Sequence, residues 1–577
     1  MSEEEQKRGE EILRVFKEAF GELLAADPAA FRVKFRKMAA SAFAFYRGSA
    51  SLFYNDLQHE QKGSPYLDEH TSRVWIHGDL HAENFGTYMD SQGCLIFNVN
   101  DFDEAYIGPF TWDVKRFVAS IALIGYAKAL SDSQITTLVN TYAAAYRERI
   151  KALATNVNGH CKDEHGNVLG FKLDTAKGSM LGALRNARFN TRIGLLNSQT
   201  EIHDFDRRFR AGAGTIQLND KTRAKVLKAF DQYKETLPDS SVRSRPQAQR
   251  VKDIVGKRGV GIGSAGLPSY NLLLEGNSDA LENDIIIYMK QAQVPAASAY
   301  ISDPAICSYF KHEGHRTVIS QRSLQSYADP WLGWTELDGV GQLVAEVSPY
   351  AVDLDWSDIN ELQDIAAIVA DLGRATATMH AAADNESGHS ELVPFSTEQS
   401  INKAIEADEK GFEELLVKFA HEYGAKAQRD HQIFVNLFRN GQIPGLLKEK
   451  NAVPGFAPDR FDEGIDHRME QIHPEDDGEQ RRRKGGIFVN LPPEILDEIF
   501  NHLPKLTDVW NLEKVYSRSA STSVWISLGH RFVTCDVQFS EGSLYTISGR
   551  VKISFASLNM RNTDALAPEV FVWFGNV

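Results

Sequence analysis

Residues 73–117 read RVWIHGDLHAENFGTYMDSQGCLIFNVNDFDEAYIGPFTWDVKRF and contain two short apolar runs, each followed by polar residues. Val74 to Ile76 predict a buried strand that leads directly into the turn HGD. Leu95 to Val99 predict a second strand, which ends at the sequence NDFD. Two strand ends therefore present acids and an amide side by side.

These side chains suit phosphoryl transfer, which needs a carboxylate to orient the nucleophile and oxygen ligands for Mg²⁺. Asp79, in the first turn, suits the carboxylate role. Asn84 and Asp101 suit the role of Mg²⁺ ligands, because this hard cation prefers oxygen. The stretch therefore predicts a candidate site for phosphate chemistry.

The pattern H-x-D-x-x-x-x-N, followed by an apolar strand and D-F-D, resembles the catalytic and metal-binding loops of the protein-kinase-like superfamily, closest to its aminoglycoside and choline kinase branch. The resemblance implies that Asp79 is the catalytic base and Asp103 a further metal ligand. Asp113, at the start of an apolar helix, resembles the buried aspartate that braces the catalytic loop. His77 and His81 join Asp79 in the catalytic turn, with His77 as a support.

Two other interpretations of the turn remain open. An H-G-D turn between strands also fits a structural hydrogen-bonded corner. A metal hydrolase would use His77, Asp79 and His81 as ligands, but a zinc site needs a further ligand at defined spacing, and none stands out in the sequence. The phosphotransferase-like site is the preferred hypothesis.

A glycine-rich stretch, DIVGKRGVGIGSAGLPSYNLLLEG (residues 253–276), lies between strand-like runs and predicts a loop whose backbone approaches phosphate oxygens. Its candidate nucleotide-binding residues are Gly259, Gly261, Gly263 and Gly266. Ile285 to Lys290 then predict a β-branched strand ending in a lysine, which resembles the kinase strand whose lysine holds the α- and β-phosphates. The implied ligand is ATP. Kinases pair this lysine with a glutamate from the following helix, and here Glu313 and Gln321 are two candidates without a clear choice between them, which departs from the kinase pattern.

The order of these segments differs from that of ordinary kinases, because the glycine-rich loop and lysine follow the catalytic loop. A strand suited to a hinge and a long amphipathic helix come after them, over residues 342–384. That helix resembles the one that leads directly into H-G-D in aminoglycoside kinase relatives. The expected fold is therefore α+β and bilobal, a circularly permuted protein-kinase-like domain over residues 1–440, with catalytic loops at 74–116 and nucleotide-binding elements at 253–293.

The segments FAFYRG, IHGDLHAENFG and NDFDEA and the later glycines occur in an order that resembles the bacterial family called domain of unknown function 2252. The resemblance covers about residues 30–440. It implies no reaction of its own, so the kinase-like hypothesis comes from the motifs. Arg47, within FYRG, suits contact with a phosphate or substrate anion, or a structural salt bridge.

The last third of the chain predicts a linker and a separate small region. Residues 441–486 mix glycine, proline and charge, which is typical of a flexible linker. Leu491 to Val515, within a region 487–577 of helices and a short β tail, resembles the F-box. That resemblance implies docking to the Skp-type adaptor of cullin ubiquitin ligases and a eukaryotic chain, with fungi as the expected source.

Composition restricts the partners and the compartment. The 577 residues carry 63 Lys+Arg and 78 Asp+Glu, a formal net charge of −15 that disfavours binding to nucleic acid. The four cysteines form no C-x-x-C pair, which indicates a reducing compartment. We find neither an export signal nor a membrane span, so we expect a cytoplasmic protein, with the nucleus as the alternative.

The sequence thus predicts an ATP- and Mg²⁺-dependent phosphotransferase that acts on an unknown small-molecule or protein acceptor. One alternative is a pseudokinase or F-box adaptor that recruits a client to a cullin ubiquitin ligase. The other is a nucleotidyl transferase, since related folds support that reaction and fold alone does not decide chemistry.

Overall fold

A computed structural model describes residues 2–58, 64–155, 170–212, 214–237, 250–258, 265–276, 278–356, 359–382 and 391–446, and four strands beyond residue 520. The chain divides into one unit over Met1–Met469 and another over Glu470–Val577. The F-box-like segment, most of the linker, and Gly259, Gly261 and Gly263 lie outside the described residues.

Helices make up most of the first unit. They are α1 (Glu3–Ala26), α2 (Pro28–Met38), α3 (Ala42–Arg47), α4 (Ala50–Leu57), α5 (Phe110–Ala127), α6 (Asp132–Thr155), α7 (Gly178–Ala187), α8 (Arg192–Gln199), α9 (Asp220–Lys234), α10 (Pro304–Tyr309), α11 (Glu313–Leu324), α12 (Leu362–Ala382), α13 (Thr397–Glu406) and α14 (Glu409–Arg439). Short 3-10 helices lie at Leu281–Asn283 and Ala296–Tyr300.

The strands form several antiparallel sheets. They are β1 (Val74–Ile76), β2 (Phe85–Met89), β3 (Leu95–Val99), β4 (Tyr106–Gly108), β5 (Thr200–His203), β6 (Asp206–Phe209), β7 (Thr215–Gln217), β8 (Val251–Arg258), β9 (Pro268–Leu274), β10 (Ile285–Gln291), β11 (Gly333–Leu337), β12 (Val340–Glu346), β13 (Val352–Asp353), β14 (Thr522–Leu528), β15 (Arg531–Val537), β16 (Lys552–Ala556) and β17 (Val570–Gly575). The chain is therefore an α+β protein, as predicted.

The largest sheet has six strands in the order β11-β12-β10-β9-β8-β7. Lys290, near the end of β10, pairs in register with Ser269 on β9 and Leu343 on β12. Side chains alternate across this sheet, so that Ile285, Ile287 and Met289 pack in one core cluster with α9. The lysine that the sequence places on an apolar strand therefore lies on a central strand.

Two small sheets carry the stretch 73–117. Strand β1 pairs with β4, and β2 pairs with β3 and β13. The predicted strands at Val74–Ile76 and Leu95–Val99 are confirmed, and both are buried along their whole length. Helix α5 follows β4 and is buried on nearly all sides, which explains why its sequence is apolar without a clear polar face.

The N-terminal helices α1 and α2 pack against the end of α14 in a core cluster of their own. Aromatic rings dominate this contact: the centroids of Phe16 and Phe434 lie 5.9 Å apart, and those of Phe35 and Phe434 lie 5.6 Å apart. Arg8 adds ion pairs to Asp430 at 2.7 Å and to Asp56 at 2.8 Å. The first and last helices described in this unit are therefore held together by both apolar and ionic contacts.

In the second unit, the described strands form a four-stranded antiparallel sheet in the order β16-β15-β14-β17. These strands fall within the region for which the sequence predicts a short β tail. In the described part of the chain, no helix has the length and apolar character that crossing a membrane would require.

The turn after β1 depends on a glycine, which gives a test of the local fold. Gly78 has φ +79°, and a Cβ built on it would lie 2.1 Å from the Glu104 carbonyl oxygen. Gly93 has a similar φ of +76° but no atom within 4 Å of such a Cβ. We expect Gly78→Ala to lower the free energy of unfolding by about 3 kcal/mol, from strain plus overpacking, and Gly93→Ala by only about 1 kcal/mol.

Urea denaturation of both variants measures this difference. Equal losses of unfolding free energy in the two variants would contradict the expectation that a Cβ at Gly78 clashes with the Glu104 carbonyl oxygen.

Candidate active site

Asp79 lies in the turn after β1 and is oriented by Arg116 from α5. Its Oδ1 accepts a hydrogen bond from Arg116 Nε at 2.7 Å and lies 2.5 Å from Nη2. The guanidinium is fully buried, 4.4 Å from the ring centroid of Tyr46 and 5.0 Å from that of Phe53. Burial raises the pKa of Asp79, although the Arg116 charge opposes the shift. Arg116 therefore fixes a partly exposed carboxylate in one orientation.

Asn84 and His81 complete the turn around Asp79. Asn84 Nδ2 donates to the Asp79 carbonyl oxygen at 2.9 Å. His81 is buried, with Nε2 3.9 Å from Asp79 Oδ2. Burial, followed by the charges of Arg47 and Arg116, lowers the pKa of His81 well below its ordinary value, so its imidazole is neutral at neutral pH.

Asp113, at the start of α5, supports the turn after β1 through hydrogen bonds to its backbone. Its carboxylate is fully buried and accepts the backbone N–H of His77 at 2.6 Å and that of Gly78 at 3.0 Å. His380 Nε2 lies 3.1 Å from Asp113 Oδ2, and the Tyr146 hydroxyl lies 2.8 Å from His380 Nδ1. Asp113 thus makes the contacts that the predicted bracing role requires.

His77 joins the two strand ends. Its Nε2 lies 2.8 Å from the Asn100 carbonyl oxygen and therefore donates to it, while its Nδ1 accepts the Asp79 N–H at 3.2 Å. Both ring nitrogens are engaged in structural hydrogen bonds, which favours a supporting role for His77 over metal ligation.

The second strand end brings Asp101 and Asp103 to Lys290 of the six-stranded sheet. The Lys290 ammonium forms an ion pair with Asp103 Oδ2. Burial by itself lowers the pKa of Lys290. Attraction to the Asp103 and Asp101 carboxylates is stronger than this effect, so the pKa of the lysine is raised. We call Asp79, Asp101, Asp103 and Glu104 the carboxylate site.

Asp101 itself is solvent-accessible and has φ +59°, a left-handed conformation that aspartate adopts more readily than most residues. Protein surrounds it closely enough that loss of hydration raises its pKa, with Asp103 adding to the shift. An accessible carboxylate in a partly desolvated position is well suited to bind a cation.

Arg316 of α11 attaches this region to the sheet. Its Nη1 donates to the Ala105 carbonyl at 2.8 Å, and its Nη2 donates to the Asp103 carbonyl at 2.9 Å and to the Gln293 carbonyl at 2.7 Å. Glu313 pairs with Arg316 Nε at 2.8 Å. The guanidinium therefore fixes the segment after β3 relative to the segment after β10.

Lys290 pairs with Asp103, and the two candidate partners from the following helix bond elsewhere. Glu313 binds Arg316, and the Gln321 side chain bonds to Gln325 at 3.0 Å. Asp103 takes the place of both, because Arg316 binds its backbone carbonyl and so keeps its side chain beside the end of β10.

Glu104 is a site residue that the motif analysis missed. Its carboxylate accepts the Ala296 N–H at 2.6 Å and lies 3.3 Å from Gln293 Nε2. Burial raises the pKa of Glu104 to about 7, with the Asp79 charge adding to the shift. No motif could identify it, because its partners belong to a segment almost two hundred residues further along the chain.

The remaining predicted residues lie around this centre. Arg47 forms an ion pair with Glu83, which matches the salt-bridge alternative. Gly266, with φ +74°, lies at the corner between α1 and α2: a Cβ on it would lie 3.4 Å from Phe31 and 3.6 Å from Asp27. The other three candidate glycines are outside the described residues.

The donors present fit a hard divalent cation. Asp101 and Asp103 offer carboxylate oxygens, and Asn84 retains an amide oxygen, which are the ligands that Mg²⁺ prefers together with water and phosphate oxygens. Within the described ranges there is no group of three His, Cys, Asp or Glu residues arranged to hold a metal ion. An Mg²⁺ ion at this position would need further ligands from water or from a bound phosphate.

This geometry defines an α+β protein in which Asp101 and Asp103 at one strand end interact with a lysine from a separate sheet, and Asp79 at the other strand end interacts electrostatically with Asp101. The chain belongs to the family described as "Uncharacterized protein conserved in bacteria (DUF2252)", whose model matches residues 26–437. The predicted family is thereby confirmed. No curated protein and no solved structure matches the chain.

The raised pKa of Glu104 gives a prediction about stability. The folded state binds a proton more tightly than the unfolded state, whose pKa is near 4.5, so stability falls as pH rises from about 4.5 to about 7. We expect Glu104→Gln, which keeps an acceptor for Ala296, to raise the free energy of unfolding at pH 8 by about 1 to 2 kcal/mol and to leave it little changed at pH 4.5.

Chemical denaturation across pH 4.5 to 8 measures the effect. The exposed Glu22 provides the control, since Glu22→Gln removes one charge far from such a buried environment. A Glu104→Gln profile parallel to that of the wild type would contradict the assignment.

Proposed function

We propose that this protein is an Mg²⁺- and ATP-dependent phosphotransferase with a circularly permuted kinase-like domain. The observation that carries the proposal is the ion pair between Lys290 and Asp103. It joins two elements that the motifs assign to the same triphosphate, although they lie far apart in the chain. Phosphoryl transfer depends mainly on positioning and on neutralising charge, and this site concentrates the groups for both.

The proposed role of Asp79 is to accept the proton of the acceptor hydroxyl and orient its oxygen. Arg116 holds one carboxylate oxygen of Asp79. The backbone of the turn is fixed by Asp113 and Asn84. A general base must be presented in a fixed geometry, and these contacts supply it.

Asp101 and Asn84 are the proposed Mg²⁺ ligands. Bound Mg²⁺ would neutralise charge on the β- and γ-phosphates and keep them in line with the acceptor. Asp103 contacts Lys290 through one oxygen and can face the same cation through the other. Among these groups, Asp101 is the most accessible to solvent, which supports its assignment as the main ligand.

Lys290 is proposed to hold the α- and β-phosphates. The sheet order supports a permuted kinase-like arrangement. Strands β8 and β9 pair with each other and flank the candidate glycines in the chain. Strand β10, which carries the lysine, pairs with β9 on one side and with β12 on the other. Helix α11 follows β10, as the helix after the lysine strand does in the resemblance. In the unliganded protein Asp103 neutralises Lys290, and a triphosphate would compete for the same ammonium group.

Nucleotide binding provides the test. We expect the full-length protein to bind ATP in isothermal titration calorimetry and to bind it more tightly with Mg²⁺. Lys290→Met should weaken MgATP binding about tenfold or more, since a charge-assisted hydrogen bond contributes about 1.5 to 3 kcal/mol. Asp101→Asn should remove most of the Mg²⁺ enhancement, because it removes a negative ligand.

Lys252 on β8 is the matched control. It forms ion pairs with Asp206 on β6 at 2.7 Å and with Asp284 at 2.9 Å, and Asp284 precedes β10, at the end opposite Lys290. Lys252→Met should therefore leave MgATP affinity close to that of the wild type. A wild-type protein with no affinity for nucleotides would refute the proposed function.

A second prediction separates binding from chemistry. Asp79→Asn keeps the shape of the side chain, so it should retain MgATP binding within about threefold but lower ATP turnover by about 100-fold or more. Product analysis then identifies the reaction: phosphoryl transfer leaves ADP, whereas nucleotidyl transfer leaves pyrophosphate. Pyrophosphate as the product would favour the nucleotidyl transferase alternative.

The adaptor alternative rests on the F-box-like sequence at Leu491 to Val515. It predicts that full-length protein captures a Skp-type adaptor and that the Asp79→Asn variant captures it equally well. Adaptor binding without nucleotide binding would favour this alternative over the phosphotransferase.

A further inference from the structure

Lys34 is a cation on the buried face of α2. This helix buries Phe31, Lys34, Phe35 and Met38, a helical stripe in which the lysine is the one charged member. The residue is only 5% exposed. A long charged side chain at such a position normally extends its end group to solvent, so its burial requires an explanation.

The surroundings of the ammonium are mainly aromatic. Lys34 Nζ lies 4.1 Å from the ring centroid of Phe20 and 5.6 Å from that of Phe31. In the described part of the chain, Lys34 makes no side-chain hydrogen bond or close ion pair. Cation–π contacts return part of the hydration lost on burial, but they supply no hydrogen-bond acceptor to the N–H donors of the ammonium.

Two carboxylates of the site, those of Glu104 and Asp79, interact electrostatically with Lys34. Burial lowers the pKa of Lys34 to about 8, and the charges of Glu104 and Asp79 act against this shift. The amine is therefore still largely protonated at pH 7. Asp101 and Asp103, by contrast, act on Lys290. The two lysines thus interact with different members of the carboxylate site, Lys290 with the predicted metal ligands and Lys34 with the predicted base and Glu104.

The position of Gly266 connects Lys34 to the nucleotide-binding stretch. The Phe31 ring that flanks the Lys34 ammonium is also the nearest neighbour of a Cβ built on Gly266, at 3.4 Å. The end of the glycine-rich stretch therefore packs on the same part of α2. Lys34 thus shares a neighbour, Phe31, with the end of this stretch, and it interacts electrostatically with Asp79. The terminal phosphate of a triphosphate would have to lie next to both the stretch and Asp79 for transfer to an acceptor.

We propose that Lys34 binds the terminal phosphoryl group of the nucleotide triphosphate, a role that rests on the proposed function. Its three N–H donors would receive acceptors from the phosphoryl oxygens, and its charge would neutralise the charge that develops next to Asp79. The N-terminal helices would then belong to the phosphate-binding site, although they precede every kinase-like motif in the chain.

Comparison of ATP with ADP tests the proposal, because the two ligands differ by that phosphoryl group. In titration calorimetry with Mg²⁺ we expect Lys34→Met to weaken ATP binding about tenfold or more and ADP binding by less than twofold. Lys290→Met should weaken both. The control is Lys37→Met, which changes an exposed lysine on the same helix and should leave both affinities unchanged.

Thermal unfolding of the same variants distinguishes a ligand-binding role from a structural one. A buried cation without hydrogen-bond acceptors destabilises the fold, so Lys34→Met should melt at or above the temperature of the wild type. A large drop in melting temperature, with ATP and ADP affected equally, would overturn the proposal, as would unchanged ATP affinity. If Lys34→Met does not fold and Lys34→Gln does not either, Lys34 is a structural ion and the proposal is wrong.

Failure of the proposed function gives a different result from failure of the Lys34 proposal. It would appear as a wild-type protein that binds neither ATP nor ADP, whereas failure of the Lys34 proposal alone would leave wild-type binding intact.

Discussion

A single buried carboxylate, that of Asp113, holds the turn on which the candidate active site is built. It accepts the N–H groups of His77 and Gly78 and contacts His380. Because these donors belong to a buried turn between a strand and the catalytic residues, leaving them unpaired would cost about 1 to 3 kcal/mol each. The position of Asp79 therefore depends on a fully buried carboxylate that supports the turn. His77 links this turn to the second strand end through its hydrogen bond to the Asn100 carbonyl oxygen.

Charge is the second constraint. Asp79 forms an ion pair with Arg116, and Asp103 forms one with Lys290. Within the described part of the chain, Asp101 forms no such ion pair. Glu104 is hydrogen-bonded to neutral donors, and burial raises its pKa, with the Asp79 charge adding to the shift. Two carboxylates of the site are therefore paired with fixed cations. The other two, Asp101 and Glu104, form no ion pair among the described residues, so negative charge is less fully neutralised there. A bound divalent cation would supply positive charge there, in keeping with the proposed role of Mg²⁺.

The sequence predicted the elements of the site better than their contacts. The runs at Val74–Ile76 and Leu95–Val99 were recognisable because a short apolar segment bounded by polar residues has few other interpretations. Arg116, Glu104 and Arg316 were not recognised, since their roles come from partners in remote segments. The partner of Lys290 was not identified for the same reason: it is Asp103, because Arg316 fixes the segment after β3 against the segment after β10. Local pattern determines where a strand ends, but only packing determines which side chain it meets.

The proposed permutation makes a demand on the two ends of the family domain. A permuted domain has its new ends where the original chain was continuous, so these ends are expected to lie close together. Here α1 and α2 pack on α14 through stacked aromatic rings, and Arg8 pairs with Asp430. The two ends of the family domain are therefore neighbours in space. A consequence follows for the N-terminal helices: they are packed by α14 on one side and reach Gly266 on the other, so that a segment at the start of the chain can supply a side chain to a site whose motifs all come later.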